Sequence, residues 1–115
     1  MKGPVYEKSF SFALLIVDLY KKLKTEKEFV ISKQLLRSGT SIGANVVEAS
    51  AAVSRSDFRY KMTTASKEAR ETKYWLLLLQ KSKITCIQVQ QELDICEELI
   101  SLLTSIVKST KKTQN

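Results

Sequence analysis

The chain is expected to fold as an all-α, antiparallel up-down-up-down four-helix bundle. Three observations predict this. Apolar residues recur at spacings of three and four in four separate segments. The 115 residues include one proline and three glycines, so little interrupts those segments. The joints between segments are short, which makes consecutive helices antiparallel neighbours. No alternating strand pattern competes. A chain of this length is one domain, 1–115, able to bury enough surface to fold alone.

The first helix is expected over about 5–23, with Phe12, Ile16, Leu19 and Leu23 as its seam. Phe10, Leu14 and Val17 are apolar but lie off that seam. The second is expected over about 26–53. Thr25 reads as its N-cap, and Glu28 three residues on completes a capping box. Its seam, Leu35, Ser38, Ile42, Asn45, Ala49 and Ala52, is small and polar. Gly39 and Gly43 each cost about 1 kcal/mol in a helix interior. They sit four apart, on one face, and remove side chain where a neighbouring helix can approach closely.

The third helix is expected over about 57–80, after the joint Ser54-Arg55-Ser56. Either serine can cap it, and Asp57 lies three residues after Ser54. Phe58, Met62, Ala65, Ala69, Thr72, Leu76 and Leu79 share one stripe. A turn at Lys81 to Thr85 follows. Thr85 with Gln88 reads as a second capping box for a fourth helix over about 86–108. That helix carries Val89, Leu93, Cys96, Ile100, Leu103 and Val107 at heptad spacing. Ile95, Leu99, Leu102 and Ile106 are apolar off that stripe. The tail 109–115 is polar and basic and is expected to fray.

Composition is that of an ordinary globular domain, 43% hydrophobic and 27% charged. The apolar run Trp75 to Leu79 is far short of the ~20 residues that span a bilayer. The first residues show no secretion signal, so no membrane partner is expected and the location expected is cytoplasmic. Cys86 and Cys96 fall on one predicted helix, ten residues or about 15 Å apart. They are too far apart for a disulfide. Free thiols are expected, with Cys96 in the core.

The chain has no histidine. That removes the commonest general base and neutral metal ligand. The Glu-x-x-His pairs of a di-iron bundle are therefore absent. Glu68 with Glu71, and Glu97 with Glu98, offer carboxylates only. The cysteines lack a histidine partner for nucleophilic work. Gly39 to Gly43 is no phosphate loop, because no Gly-Lys-Ser/Thr follows it. No enzymatic activity, metal or cofactor is expected.

Two polar constellations remain. On the second predicted helix Arg37, Ser41 and Glu48 form a polar stripe, with Ser38 and Asn45 beside it. Across the antiparallel hairpin Lys61, Glu68, Thr72 and Trp75 share a face, with Glu71 alongside. An arginine fork suits a carboxylate, so Arg37 is expected to pair with Glu68 or Glu71. The set Arg37, Ser38, Ser41, Asn45, Glu48, Glu68, Glu71, Thr72 and Trp75 reads as a structural network that fixes helix register, with a ligand or subunit site as the alternative.

The second constellation is basic. Nineteen Lys and Arg oppose 12 Asp and Glu, a formal net charge of +7, which favours an anionic partner. Lys21, Lys22 and Lys24 end the first helix. Arg55 and Arg59 open the third, and Lys67, Arg70 and Lys73 follow along it. Lys108, Lys111 and Lys112 end the fourth. These residues are the candidates for phosphate contacts.

Several stretches carry a family resemblance. They are Gln34-Leu-Leu-Arg-Ser-Gly-Thr-Ser-Ile-Gly-Ala-Asn45, Glu48-Ala49, Ser56-Asp57-Phe58 and Lys67-Glu-Ala-Arg-Glu-Thr-Lys-Tyr-Trp-Leu76. Together they resemble the four-helix bundle proteins encoded within intervening sequences of bacterial 23S ribosomal RNA genes. The accessory variability proteins of diversity-generating retroelements look like relatives in the same superfamily. The match covers the first three helices, and the fourth by pattern. The resemblance implies an up-down bundle, a ring-like homopentamer with a basic surface, and no catalytic residue. In the retroelement branch it implies engagement of nucleic acid and a reverse transcriptase.

Three expectations follow. The chain binds nucleic acid, RNA before DNA, without catalysis. Alternatively it is a scaffold for a protein such as a polymerase or reverse transcriptase. The apolar residues off the seams mark an interface, so a closed cyclic homo-oligomer is expected, with five subunits the count the resemblance implies.

Overall fold

Apolar residues at helical spacing leave each segment one stripe to bury, and the four stripes meet along one axis. The computed structural model describes residues 3–113, with side chains through Lys111. The helices are α1 (Pro4–Thr25), α2 (Ile31–Ser50), α3 (Arg55–Ser82) and α4 (Gln90–Thr113). Among the described residues there is no strand. Each helix packs against the two beside it, and among the described residues no Cα atoms of the diagonal pairs α1–α3 and α2–α4 come within 8 Å. The long axis of 48 Å is set by the 28-residue α3, which spans about 42 Å by itself.

The core holds Phe12, Ile16, Leu19 and Leu23 from α1, and Leu35, Ile42, Val46 and Ala49 from α2. Met62, Ala65, Ala69, Leu76 and Leu79 of α3 join them, with Val89, Leu93, Cys96, Leu99 and Leu103 from the fourth segment. Ion pairs cross the seams: Lys8 to Glu98 at 3.2 Å between α1 and α4, and Lys73 to Glu97 at 2.6 Å between α3 and α4.

The element boundaries differ from the sequence expectation where the cap chemistry differs. Thr25 does not cap α2. It ends α1, donating its hydroxyl to the Lys21 carbonyl at 3.1 Å. Lys27 then takes a left-handed backbone, φ 66°. The Glu28 N–H reaches the Leu23 carbonyl at 2.9 Å and the Lys27 N–H the Lys24 carbonyl at 2.8 Å. This is a Schellman closure with lysine where glycine is usual. α2 therefore starts at Ile31, five residues later than expected. Its cap is the Glu28 carboxylate, which accepts from the N–H groups of Val30, Ile31 and Ser32 at 3.1, 3.0 and 2.6 Å. Those are orphan donors of a helix start, and a negative charge there also suits the helix dipole.

Along α2 the buried position is Val46, not Asn45. A step of four from Ile42 stays over the core, whereas Asn45 turns aside and donates to the Ser41 carbonyl at 2.8 Å. Ala52 lies beyond the end of the helix. Ser54 is the N-cap of α3, accepting from the Asp57 N–H at 3.0 Å, and α3 begins at Arg55.

The last joint also departs from expectation. Lys83 ends α3 in a left-handed conformation, φ 57°. Thr85 caps no helix. Its hydroxyl accepts from the Ile87 N–H at 3.1 Å and donates to Glu26 at 2.6 Å. That bond ties the joint to the α1–α2 turn. α4 starts at Gln90, so Cys86 is not on a helix with Cys96. Both thiols are free, Cys86 exposed and Cys96 buried. Burial pushes the Cys96 thiol up to about 12. It donates to the Ala69 carbonyl at 3.2 Å. Leu99 is fully buried, and Ile100 only partly. α4 continues to Thr113, so the segment expected to fray is helical to that point.

Candidate functional site

The polar stripes of α2 and α3 meet. Arg37 Nη1 donates to Glu68 Oε2 at 3.1 Å and Nη2 to Glu71 Oε2 at 2.6 Å. Glu71 Oε2 also accepts from the Trp75 indole N–H at 2.9 Å. These hydrogen bonds, that from Arg37 first and that from Trp75 next, hold the Glu71 carboxyl below its ordinary range. The same bonds, Glu71 first, raise the Arg37 guanidinium. Below the fork, the Thr72 hydroxyl is buried. It donates to the Glu68 carbonyl at 2.7 Å and shares a hydrogen bond with the Ser38 hydroxyl at 2.9 Å. Lys61 pairs with Glu48 at 2.7 Å, which raises the ammonium. Ser41 faces back to its own helix, donating to the Arg37 carbonyl at 2.6 Å, as Asn45 does to Ser41. Each of the three carboxylates in this network has a cationic partner, Arg37 serving two of them and Lys61 the third.

The α3–α4 seam is different. Arg59, Thr63, Ser66, Lys67 and Arg70 recur on one side of α3 at helical spacing. Thr104, Val107, Lys108 and Lys111 do the same on α4. Together they line a groove of about 380 Å³. Five cations and three hydroxyls face it, and no carboxylate does. None of Arg59, Lys67, Arg70, Lys108 and Lys111 makes an ion pair among the described residues. Arg70 Nη2 donates to Thr104 Oγ1 at 3.1 Å, which fixes its fork at the groove wall. Arg59 Nε is buried with no hydrogen-bond partner.

The other basic candidates do not join this groove. Lys21, Lys22 and Lys24 sit at the opposite end of the bundle, near the close of α1. Lys22 pairs with Asp18 at 3.1 Å, and the Lys24 ammonium lies 5.2 Å from the Tyr20 ring centroid. Lys73 is neutralised by Glu97. Arg55 is the exposed first residue of α3. The Lys112 side chain lies outside the described residues. Thr63, Ser66 and Thr104 were not among the sequence candidates. Their signal was the shared helical spacing with Arg59, Lys67, Arg70 and Lys108.

The apolar residues off the seams divide. Leu99 is in the core, and Ile95, Leu102 and Ile106 pack partly buried against it. The surplus expected on α4 is thus largely a wide core stripe. On α1 the surplus remains, with Phe10 55% and Leu14 58% exposed. Phe10 stacks on Tyr6 at 6.4 Å between centroids. Tyr6 and Phe10, but not Leu14, border a mainly apolar groove of about 320 Å³ between α1 and α2, with Ala13, Gly43, Ala44 and Val47. Among the described residues no helix is long and apolar enough to cross a membrane.

The profile of the family described as 23S rRNA-intervening sequence protein matches residues 1–112. A crystal structure from Bacteroides thetaiotaomicron VPI-5482 is similar. It is described as a protein with unknown function from the S23 ribosomal protein family. It superposes with a TM-score of 0.84 at 52% sequence identity, covering 91% of this chain and 99% of that one. No curated protein matches the sequence.

Proposed function

Because this chain belongs to the 23S rRNA-intervening sequence protein family, we propose that it is a non-enzymatic nucleic-acid-binding protein acting on RNA in the cytoplasm. The α3–α4 groove carries the reading. Five cations with no ion-pair partner among the described residues, together with three hydroxyls, suit a chain of phosphates. The link of the family to a ribosomal RNA gene favours RNA over DNA. No chemistry is assigned to the site: the chain has no histidine, and the α3–α4 groove holds no carboxylate base.

Phosphate binding releases counterions, so affinity falls steeply with salt. Titration of labelled RNA and DNA at two salt concentrations tests this. The expected result is binding at low salt that weakens sharply at high salt, and absence of binding at low salt removes the proposal.

Self-association is part of the same proposal. Phe10 and Leu14 leave apolar surface on α1 that a second subunit would cover in a closed ring, and the family resemblance makes five the preferred count. The exposed α1 face also favours the second reading, a scaffold for a reverse transcriptase or other polymerase. A pull-down from nuclease-treated lysate separates them. A protein retained after nuclease supports the scaffold, and loss of all partners supports RNA binding.

A further inference from the structure

Beside the groove, α3 carries a second feature that the phosphate reading does not use. Tyr60, Lys67 and Tyr74 are seven residues apart. Seven residues make two turns less about 20°, so the three stand in one line on the outer ridge of the helix. The tyrosines are 66% and 58% exposed, and their Cα atoms lie about 21 Å apart along the axis. Neither ring belongs to the core. Tyr74 rests edge-on against Trp75, with centroids 5.0 Å apart and planes at 73°. Trp75 is itself tied to Glu71 through its indole N–H, so Tyr74 has a held support. Tyr60 has the Lys61 ammonium 5.7 Å from its ring centroid. Lys67, between them, also lines the basic groove.

Resting on the groove as a phosphate site, we infer that this surface takes an unpaired RNA strand, with its backbone in the α3–α4 groove and bases laid on Tyr60 and Tyr74. Charge alone does not tell a strand from a duplex. Ring faces do, because a duplex keeps its bases stacked on each other while unpaired bases offer a free π face. Stacking tolerates any base, so the ridge selects for lack of pairing and not for sequence. Lys67, on the tyrosine line, and Arg70, one turn further along α3, both line the groove, where a strand would pass its phosphates.

The test compares an unstructured RNA strand with a blunt RNA duplex carrying the same number of phosphates, by anisotropy at one low salt concentration. The single strand is expected to bind tighter. The double variant Tyr60→Ala/Tyr74→Ala is expected to lose about thirtyfold or more in strand affinity, one stacked base at each ring, and to keep duplex binding. Tyr60→Phe/Tyr74→Phe retains the strand affinity, because the ring and not the phenol stacks. Both side chains are exposed, so melting by circular dichroism should be unchanged in every variant. Equal binding of strand and duplex, or an alanine variant that binds the strand normally, overturns the inference. If Arg70→Gln weakens both RNAs in that case, the groove reading survives alone. If neither RNA binds, both readings fall. A changed subunit mass in the alanine variant reassigns the ridge to self-contact.

Discussion

A Cβ added at Gly39 would stand 2.8 Å from Ile16 Cγ2 and 3.0 Å from Cγ1, inside a fully buried contact between α1 and α2. At Gly43 the nearest atoms are Ser9 Oγ at 3.4 Å and the Ser9 carbonyl oxygen at 3.5 Å, ordinary contact distances. Ile16 is β-branched and enclosed, so it yields poorly. Overpacking of about 1–3 kcal/mol outweighs the roughly 1 kcal/mol that alanine gains in helix propensity. Gly39→Ala should lower stability by about 1–2 kcal/mol, whereas Gly43→Ala should be neutral or raise it by about 0.5–1 kcal/mol. Urea unfolding of both variants measures the difference. That both glycines thin one face was legible from their spacing. Which of them lies too close to α1 to accept a Cβ was not, because it depends on how the two helices slide past each other. The pairing of Arg37 with Glu68 and Glu71 was legible, since an antiparallel hairpin and a fork geometry leave few partners. The Arg37 side chain is 49% exposed and that of Glu68 18%. Arg37→Ala should therefore cost about 1–2 kcal/mol, between the values for surface and buried pairs. Glu71 has a depressed carboxyl in the folded state. Its contribution is complete above the ordinary carboxylate value and is lost as pH falls through the folded one. In Arg37→Ala the loss of stability on acidification, read from urea midpoints against pH, should be shallower than in the parent.

At the scale of the element, periodicity revealed four helices and their order, but cap chemistry set their ends. Lys27 and Lys83 occupy left-handed turns that a glycine would have announced. Without that sign, Thr25 and Glu28 fit the template of a capping box, although Thr25 belongs to the helix before. Glu28 is the cap in another form, with one carboxylate serving three N–H groups of α2. Glu28→Ala should cost about 1–2 kcal/mol, and Glu28→Gln should recover part of it, because the amide keeps one acceptor oxygen. Thermal unfolding of the two variants checks this order. On α2 and α4 the heptad template placed Asn45 and Ile100 where Val46 and Leu99 are buried. The two errors run in opposite senses, while Ile42, Ala49, Cys96 and Leu103 on either side are buried as expected, so the step of three or four between them is set by local packing and not by the repeat.

At the scale of the molecule, basic residues that look scattered in sequence separate into two groups. Arg59, Lys67, Arg70, Lys108 and Lys111 share one groove, while Lys21, Lys22 and Lys24 stand at the other end. Sequence charge alone could not make that division, because it is the antiparallel pairing of α3 with α4 that places Lys108 and Lys111 beside Arg59. The apolar face of α1 was visible as Phe10 and Leu14 off the seam, and the proposed ring is read from it. Light scattering coupled to size exclusion should give a mass several times the 13.1 kDa of one chain; a concentration-independent mass at that value rejects the ring. The central proposal is that the groove holds phosphates, and the most direct measurement is the salt slope of RNA affinity in charge-neutral variants. Each phosphate contact removed lowers the slope of log affinity against log salt by about 0.7–0.9. Lys67→Gln/Lys108→Gln should reduce the slope by roughly 1–2, and Lys21→Gln/Lys24→Gln should leave it unchanged. An unchanged slope in the groove variant, or an equal drop in both, would contradict the assignment of the groove.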